Sequence, residues 1–433
     1  MKIMLVGSGA REHAIAKAVS RSKRQVELFA YLDVENPGIT RMVAEYHIGS
    51  LSDISSLVSY AKRVRPNLVI FGPELPLALG AVDALESVGI KSFGPTRSQA
   101  QIEWDKAFMR SLMERYLRRG YPAWSIIRTA EEARKFFDIH PHAVVKPFGL
   151  TGGKGVKVLG QQLKTLQDAI AYANELISQY GGCVLEERVF GEEFSLMVFT
   201  DGKNVASMPV VQDYKYAYEN DTGPMTGGMG SYSDSNHLLP FIAKKDFENA
   251  LSIVVDTLST LNKLTQTPYR GVLYGQFMNA EHGPVLIEFN ARFGDPEAIN
   301  VLALLETDFL DLCFSIVEGE MVEKIVFKHQ ATVCKYIVPL GYPDCPKIDT
   351  PVHIPESLLK SENPEIYFAS VKEKNGVFVT TKSRTLALLG IATTPLEAKE
   401  IVDKTLFSWN PQGVYYRKDI PRLTRRRTAK GQN

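Results

Sequence analysis

Cysteine is scarce in this sequence. Its 433 residues hold four, at Cys183, Cys313, Cys334 and Cys345. No two form a C-x-x-C, and Cys334 and Cys345 stand too far apart for a zinc knuckle. A disulfide framework and a structural zinc site are therefore not expected, and a reduced cytoplasmic setting fits best. Neither sign of charge prevails: 50 Lys and Arg face 49 Asp and Glu, for a net charge of +1. A general nucleic-acid binder carries a basic excess, so no nucleic-acid partner is expected. No apolar run approaches the roughly 18 residues of a membrane span, so no membrane partner is expected either. The opening MKIMLVGSGA lacks a signal-peptide core, because Ser8, Arg11 and Glu12 follow at once. Glycine and proline, 32 and 23 residues, are at ordinary levels, which excludes collagen-like and low-complexity chains. No internal repeat is found. These exclusions leave a soluble protein of about three domains, at roughly 150 residues per domain.

What is present is a series of alternating apolar runs and helical patterns. Lys2 to Val6 has the composition of a buried strand, followed by the turn Gly7-Ser8-Gly9 and an alanine-rich helix over about 11–20. VELFAYL, VAEYHI, a helix around LVSYAKRV and then NLVIFG continue the alternation as far as Gly94-Pro95. That pattern predicts a doubly wound α/β unit with a parallel sheet. A single helical stretch is expected over 97–119. A small α/β lobe follows over about 123–190, then a strand-rich stretch with one long helix near 244–263. From about Lys328 short strands accompany one helix, and 426–433 is a basic, unpatterned tail.

Three segments carry chemistry. GSGAREH approaches the dinucleotide fingerprint G-x-G-x-x-G, but Glu12 holds the third glycine position and no acidic residue is well placed about 20 positions on, Asp33 and Glu35 sitting late. The Gly9 loop is either a tight strand-to-helix turn or an anion site made of backbone N–H groups. Gly72-Pro73-Glu74 should lie beside it at the carboxyl edge of the same sheet, where open α/β folds bind ligands. KPFGLTGGKGVKV, 146–158, is not a Walker A loop. Its spacing is short, and strands flank it on both sides where a P-loop opens a helix. A glycine-rich turn between strands, with Lys146 before it and Lys154 within it, suits a flap over phosphates. The third segment is LIEFNARFGDPE, 286–297. Strand alternation puts Glu288, Asn290 and Arg292 on one face and Phe289 and Ala291 on the other. Two oxygen ligands suited to Mg²⁺ and a guanidinium suited to phosphate are an odd face for a core. Asp295 and Glu297 then open a helix, either as ligand groups or as helix-capping carboxylates.

GSGAREHA, GPELPLALG, FGPTRSQAQIEWDKAF, KPFGLTGGKGV, EERVFGEEFSL, DTGPMTGGMGSYS, GVLYGQFM and EFNARFGDPE follow one another in this order. Together they resemble the phosphoribosylamine–glycine ligase family of ATP-grasp enzymes, from residue 1 to about 420. The resemblance implies an α/β and α+β multidomain fold. A Rossmann-like N-terminal substrate domain would span 1–103, an ATP-grasp module 104–327, and a small β-rich C-terminal domain 328–425. It implies ATP-dependent ligation of glycine to 5-phosphoribosylamine through a glycyl phosphate, in purine biosynthesis, with ATP and Mg²⁺ or Mn²⁺, by a cytoplasmic monomer. Lys106, Lys146, Gly152, Gly153 and Lys154 would contact ATP phosphates. Glu186 and Glu187 would form the adenine hinge, and Glu193 would hold the ribose. Glu288 and Asn290 would ligate the metal. Arg292, Lys154 and Asp295 would serve the chemical step. Gly9, Glu74, Asp213, Lys215 and Asp295 would face the acceptor substrates.

The sequence departs from the family pattern in places. Asp105 precedes Lys106, Tyr214 and Tyr216 replace a histidine and a basic residue, Met225 stands in DTGPMT, and Ala298-Ile299 follow GDPE. Thr381-Lys382-Ser383-Arg384 lacks two usual glycines. Most of these changes fall on the acceptor side, whereas the ATP and metal set is complete. An ATP-grasp ligase for another carboxylate or amine, or a non-catalytic nucleotide-binding relative, are the alternatives. His13 is either a phosphate contact or a packing residue.

Overall fold

The computed structural model describes residues 1–149 and 155–423. The chain begins with five parallel strands in the order Glu45–Ile48, Glu27–Leu32, Lys2–Val6, Leu68–Phe71, Ser92–Phe93. Side-chain alternation in the first strand explains its double burial. Ile3 and Leu5 enter one apolar core, Met4 and Val6 the other. The order reverses between Lys2–Val6 and Leu68–Phe71, so the turns after them, Gly7–Gly9 and Gly72–Glu74, flank one crevice.

The helix expected over 97–119 is in fact three pieces. Helices Arg97–Trp104 and Lys106–Leu112 meet at Asp105, and a π-helical turn covers Met113–Leu117. Asp105 is extended (φ −119°, ψ 94°), and its carboxylate accepts the Phe108 N–H at 2.9 Å. The acidic residue beside Lys106 is thus the N-cap of the helix that carries the lysine.

Two antiparallel four-stranded sheets come next. The first, in the order Trp124–Ile127, Cys183–Glu186, Val144–Pro147, Lys157–Val158, packs on helices Ala130–Ile139 and Leu166–Tyr180. The second runs Val205–Ser207, Glu192–Thr200, Gly271–Ala280, Gly283–Asn290, with the 22-residue helix Lys244–Thr265 against it.

A six-stranded sheet finishes the molecule. Its main path runs Gln212–Asp213, Gly230–Ser233, Ala331–Pro339, Leu386–Ala392, Glu365–Phe368, and Val414–Tyr415 pairs beside Ala331–Pro339. Helix Pro395–Trp409 covers it, and a short helix Glu356–Leu359 adds to the one expected. Its first two strands come from the middle of the chain, so this sheet carries the middle of the chain directly into its C-terminal part. Among the described residues no helix is long and apolar enough to cross a membrane.

Candidate active site

The strand Gly283–Asn290 sets the site. It lies antiparallel to Gly271–Ala280, with Glu288 opposite Gln276 and Asn290 opposite Tyr274. Phe289 and Ala291 are 1% exposed and enter two separate cores. Glu288, Asn290 and Arg292 therefore face the other way, into a cavity of about 350 Å³ that Lys106, Lys146, Lys215, Glu103, Glu74, Asp213, Asp295 and Glu297 also line. A second cavity of about 410 Å³ continues from it past Lys146, Glu193, Lys215 and Met225. Its walls are more apolar, with Val144, Val158, Phe190, Met278 and Ile287, and Glu187 lies on its rim. The first space is lined by both basic and acidic side chains, which suits phosphates accompanied by a divalent cation, and the more apolar second space suits an aromatic base.

Charge balance holds these groups in place. Burial would raise the Glu288 carboxyl, but Lys215, Lys106, Lys146 and Arg292 outweigh it and keep it below the usual carboxylate range. Burial lowers the Lys146 ammonium, against the opposing pull of Glu186 at 2.7 Å. Glu186 is itself held by Arg110, whose Nε and Nη2 donate to it at 2.7 Å each. These two cations overcome burial and hold Glu186 at about 2. Its carboxylate therefore acts on the protein, as the anchor of Lys146. Arg110 also donates to the carbonyls of Leu286 and Ile287, at 3.0 and 2.7 Å. The lysine and the metal-type strand are thereby tied through one guanidinium.

Arg292 is gripped by the N-terminal unit. Its Nη2 lies 2.9 Å from Glu103, its Nε 3.4 Å from Glu74, and Nη2 donates to Asn290 at 3.2 Å. Burial raises Glu103 to about 7, although Arg292 opposes it. Glu74 stays below its usual range because Arg292 and Arg11 together outweigh burial. Lys215 stands 3.8 Å from Glu193 and 3.9 Å from Asp213. Those carboxylates and Glu288 raise it in spite of burial. Glu193 itself is raised by burial, with Lys215 opposing.

The Gly9 loop resolves its two readings toward a turn. The Gly9 N–H donates to Glu12 Oε2 at 2.6 Å, and Glu12 Oε1 accepts from Arg11 Nε at 2.7 Å. The residue in the third fingerprint position thus supplies the anion from within. A side chain at Gly72 would strike it, since a Cβ there would lie 1.9 Å from Glu12 Oε1. The loop still borders the site: a Cβ at Gly9 would stand 3.8 Å from Asp295 Oδ2. His13 is a packing residue. Its Nδ1 accepts the Phe368 N–H at 2.9 Å, and its ring lies against Tyr367 and Phe368. Gly152, Gly153 and Lys154 lie outside the described residues, as does the tail 426–433.

Glu297, expected to be either a ligand group or a helix cap, is joined by site residues that carried no expected role. Glu297 is 2% exposed and accepts from Ser195 at 2.9 Å and Tyr274 at 2.7 Å; burial and Asp213 raise it to about 7. It is a buried network carboxyl, so simple helix capping does not describe it. Arg384 reaches Asp295 at 2.7 Å from the C-terminal sheet. Arg11, Glu103 and Arg110 complete the set. Glu103 and Arg384 sit inside motifs that were read for other residues. Arg110 had no sequence signal beyond its place four residues after Lys106. Tyr214 is turned away from the acceptor question: it is 4% exposed, its hydroxyl accepts the Arg422 N–H at 2.9 Å, and Arg417 and Arg422 flank its ring.

Among the described residues no group of three or more His, Cys, Asp or Glu could cage a metal ion. A pair such as Glu288 and Asn290 fits a hard divalent cation that takes its other ligands from phosphate oxygens and water.

Residues 1–103, 104–298 and 332–422 match, in turn, the family models of the phosphoribosylglycinamide synthetase N domain, ATP-grasp (A) domain and C domain. The phosphoribosylamine–glycine ligase of Methanocella arvoryzae is 45% identical over 433 residues, 99% of this chain and 98% of that protein. That of Pyrococcus horikoshii is 46% identical over 421 residues, 97% of this chain and 94% of that protein. The crystal structure of the Thermotoga maritima phosphoribosylamine–glycine ligase superposes with a TM-score of 0.80 at 26% identity, over 97% of this chain and 100% of that one. The biotin carboxylase domain of Hydrogenobacter thermophilus 2-oxoglutarate carboxylase, in complex with MgADP and bicarbonate, superposes at 0.75 with 17% identity, over 96% of this chain and 91% of that one. That second likeness concerns the fold alone.

Proposed function

The chain belongs to the phosphoribosylglycinamide synthetase family, with its three-domain ATP-grasp architecture, and from that premise we propose that it joins glycine to 5-phosphoribosylamine at the expense of ATP. The products are glycinamide ribonucleotide, ADP and phosphate, as a step of purine biosynthesis. The observation that carries this reading is the single strand face of Glu288, Asn290 and Arg292, ringed by Lys106, Lys146 and Lys215.

A carboxylate is a poor acceptor for an amine. One glycine carboxylate oxygen therefore attacks the γ-phosphorus of ATP, the bond to the β–γ bridging oxygen breaks, and ADP leaves. The amine of phosphoribosylamine then attacks the acyl carbon, and phosphate departs as the amide forms. The protein's part is to align these groups, neutralise charge and exclude water from the acyl phosphate. Lys106 and Lys146 hold phosphate oxygens, and Lys154, Gly152 and Gly153 are assigned to the same phosphates. Arg292, kept in orientation by Glu103 and Glu74, faces the transferring phosphoryl. Glu288 and Asn290 hold a divalent cation, Mg²⁺ or Mn²⁺, which when bound offsets charge on the phosphates. The base lies against the hinge at Glu186 and Glu187, and Glu193 takes the ribose hydroxyls. Asp213, Lys215 and Asp295, with the Gly9 and Glu74 turns, surround the acceptor substrates. We assign the substrate unit to 1–103, the ATP module to 104–327 and the closing domain to 328–425, working as a cytoplasmic monomer.

Phosphate release by the purified protein tests this. It is expected only when ATP, glycine and phosphoribosylamine are all present with a divalent cation. Release driven by another amino acid, or by glycine without the ribosylamine, overturns the assignment.

A further inference from the structure

Arg384 lies in the loop between the strand Val377–Thr380 of a small three-stranded sheet and the strand Leu386–Ala392 of the six-stranded sheet, so it belongs to the C-terminal part of the chain. Its guanidinium leaves that loop and enters the first cavity. Nη1 donates to the carbonyls of Gly227, Gly228 and Asp295, at 2.8, 3.0 and 3.2 Å. Nη2 donates to Asp295 Oδ2 at 2.7 Å. The guanidinium carbon lies 4.2 Å from the centre of the Tyr336 ring, and the Tyr336 hydroxyl donates to Asp295 Oδ1. Nη1 is thus saturated by main-chain oxygens, and Nη2 is committed to a carboxylate. An arginine so engaged joins parts of the protein; it is not a free anion receptor.

The joined part is the turn Thr226–Gly228. Its other end is fixed too: the Thr226 N–H and hydroxyl donate to the Lys215 carbonyl at 2.7 and 2.8 Å, and the Gly228 N–H donates to Thr226 Oγ1 at 3.0 Å. Gly228 has φ +111°, and a Cβ there would meet Pro296 Cδ at 2.8 Å. A Cβ at Gly227 would come within 3.4 Å of the Arg384 guanidinium carbon. Bare main chain is therefore pressed onto Asp295 and Arg384. Thr226 and Gly227 line the first cavity, as do Tyr274 and Glu297. A carboxylate that attacks a phosphoryl held by Arg292 must lie next to it, on the side away from the base-binding cavity. Asp295, Glu297, Thr226 and Gly227 line the first cavity together with Arg292 and take no part in the lining of the second.

We propose that Arg384 is a positioning residue, supplied by the C-terminal domain, that locks the Thr226–Gly228 turn as the wall of the amino-acid subsite and so restricts that subsite to an amino acid without a side chain. The proposal rests on the ligase reading above. A wall held at both ends cannot retreat to admit a methyl group. Loosened at Arg384, it leaves three carbonyls without their donor and can move.

The test compares the parent with Arg384→Ala, Arg384→Lys and Tyr336→Phe. Steady-state rates are measured with glycine and with alanine, and a fluorescent ATP analogue is bound in the absence of acceptors. For Arg384→Ala the KM for glycine is expected to rise about 10-fold, in line with loss of charge-assisted bonds. The alanine-to-glycine ratio of kcat/KM is expected to rise about 5-fold or more, because a methyl group in a closed pocket is discriminated by roughly 10-fold upward. Affinity for the ATP analogue should not change. Arg384→Lys should restore part of the glycine KM. Tyr336→Phe keeps the guanidinium and should shift both quantities in the same direction by less, which covers the case in which Arg384→Ala does not fold. An unchanged alanine-to-glycine ratio overturns the proposal, as does an equal loss of nucleotide binding. A parent that uses another amino acid in place of glycine overturns the ligase reading instead, while the change in ratio on substitution still decides the role of Arg384.

Discussion

Glu288 is a half-buried carboxylate whose ionisation is maintained by four surrounding cations. Replacing it with Gln keeps the shape and removes the charge that a metal ion needs. Glu288→Gln is expected to lower phosphate release by about 100-fold or more, as for other losses of preorganised charge. A Mg²⁺ titration of the residual rate should also show a weaker midpoint; an unchanged midpoint would remove Glu288 from the metal site. At this scale much of the site was legible in the sequence. Glu288, Asn290 and Arg292 share a face because strand side chains alternate, and that rule needs no tertiary information. Glu103 and Arg384 were hidden, and Glu297 stayed between two readings, for the opposite reason. Their meaning lies in partners far along the chain: Glu297 bonds Ser195 across 102 positions, and Arg384 bonds Asp295 across 89. Spacing within a motif carries no trace of such pairs.

Among elements, the helix Lys106–Leu112 has the widest influence on the nucleotide side. Asp105 starts it, Lys106 opens it toward the cavity, and Arg110 ends its first turn on Glu186 and the carbonyls of Leu286 and Ile287. A buried ion pair stripped of one member leaves a charge without compensation. Arg110→Met is expected to reduce stability by about 3 kcal/mol, measured by urea unfolding, and to weaken binding of an ATP analogue because Lys146 loses its fixed anchor. Arg110→Met combined with Glu186→Leu should recover little of either, because buried Lys146 then loses its carboxylate partner. The helix itself was foreseen, but its break at Asp105 was not. A good helix-forming run on both sides masks an N-cap whose only local mark is one acidic residue. Pairings of the C-terminal sheet were likewise beyond local reading, since Ser231 stands opposite Cys334.

Across the whole molecule, the N-terminal and C-terminal parts are joined directly. Asn36 Nδ2 donates to the carbonyls of Phe368 and Ala369, at 3.0 and 3.1 Å, and Lys17 pairs with Glu365 at 3.0 Å. His13 lies in the same seam. Burial, assisted by Lys17, depresses its imidazole to about 3, so it stays neutral and accepts the Phe368 N–H. Its pKa is lower folded than unfolded, so the unfolded chain binds the extra proton as pH falls below 6.5. The contribution of His13 is full above that value and is lost on acidification toward about 3, by up to roughly 1.4 kcal/mol per pH unit. His13→Asn offers an acceptor that does not titrate. Its unfolding free energy, followed from pH 7 to 5 beside the parent, is expected to fall less steeply. Equal slopes would assign the acid sensitivity of the seam to other groups.

The cysteines of this chain are distributed in a way that has a practical consequence. Cys345 is exposed, whereas Cys183, Cys313 and Cys334 are buried as free thiols. Burial pushes Cys183 to about 12 and raises Cys313 and Cys334 as well, so all three resist alkylation while folded. Each occupies a different part of the interior. Cys183 belongs to the small-lobe core, Cys313 to the helix Phe309–Glu318, and Cys334 to the strand Ala331–Pro339 of the terminal sheet. The native molecule therefore presents one reactive sulfur, and each further sulfur that takes up label identifies which of three regions has opened. Peptide mapping of alkylated cysteines over time would convert this into a regional clock of unfolding that needs no engineered probe.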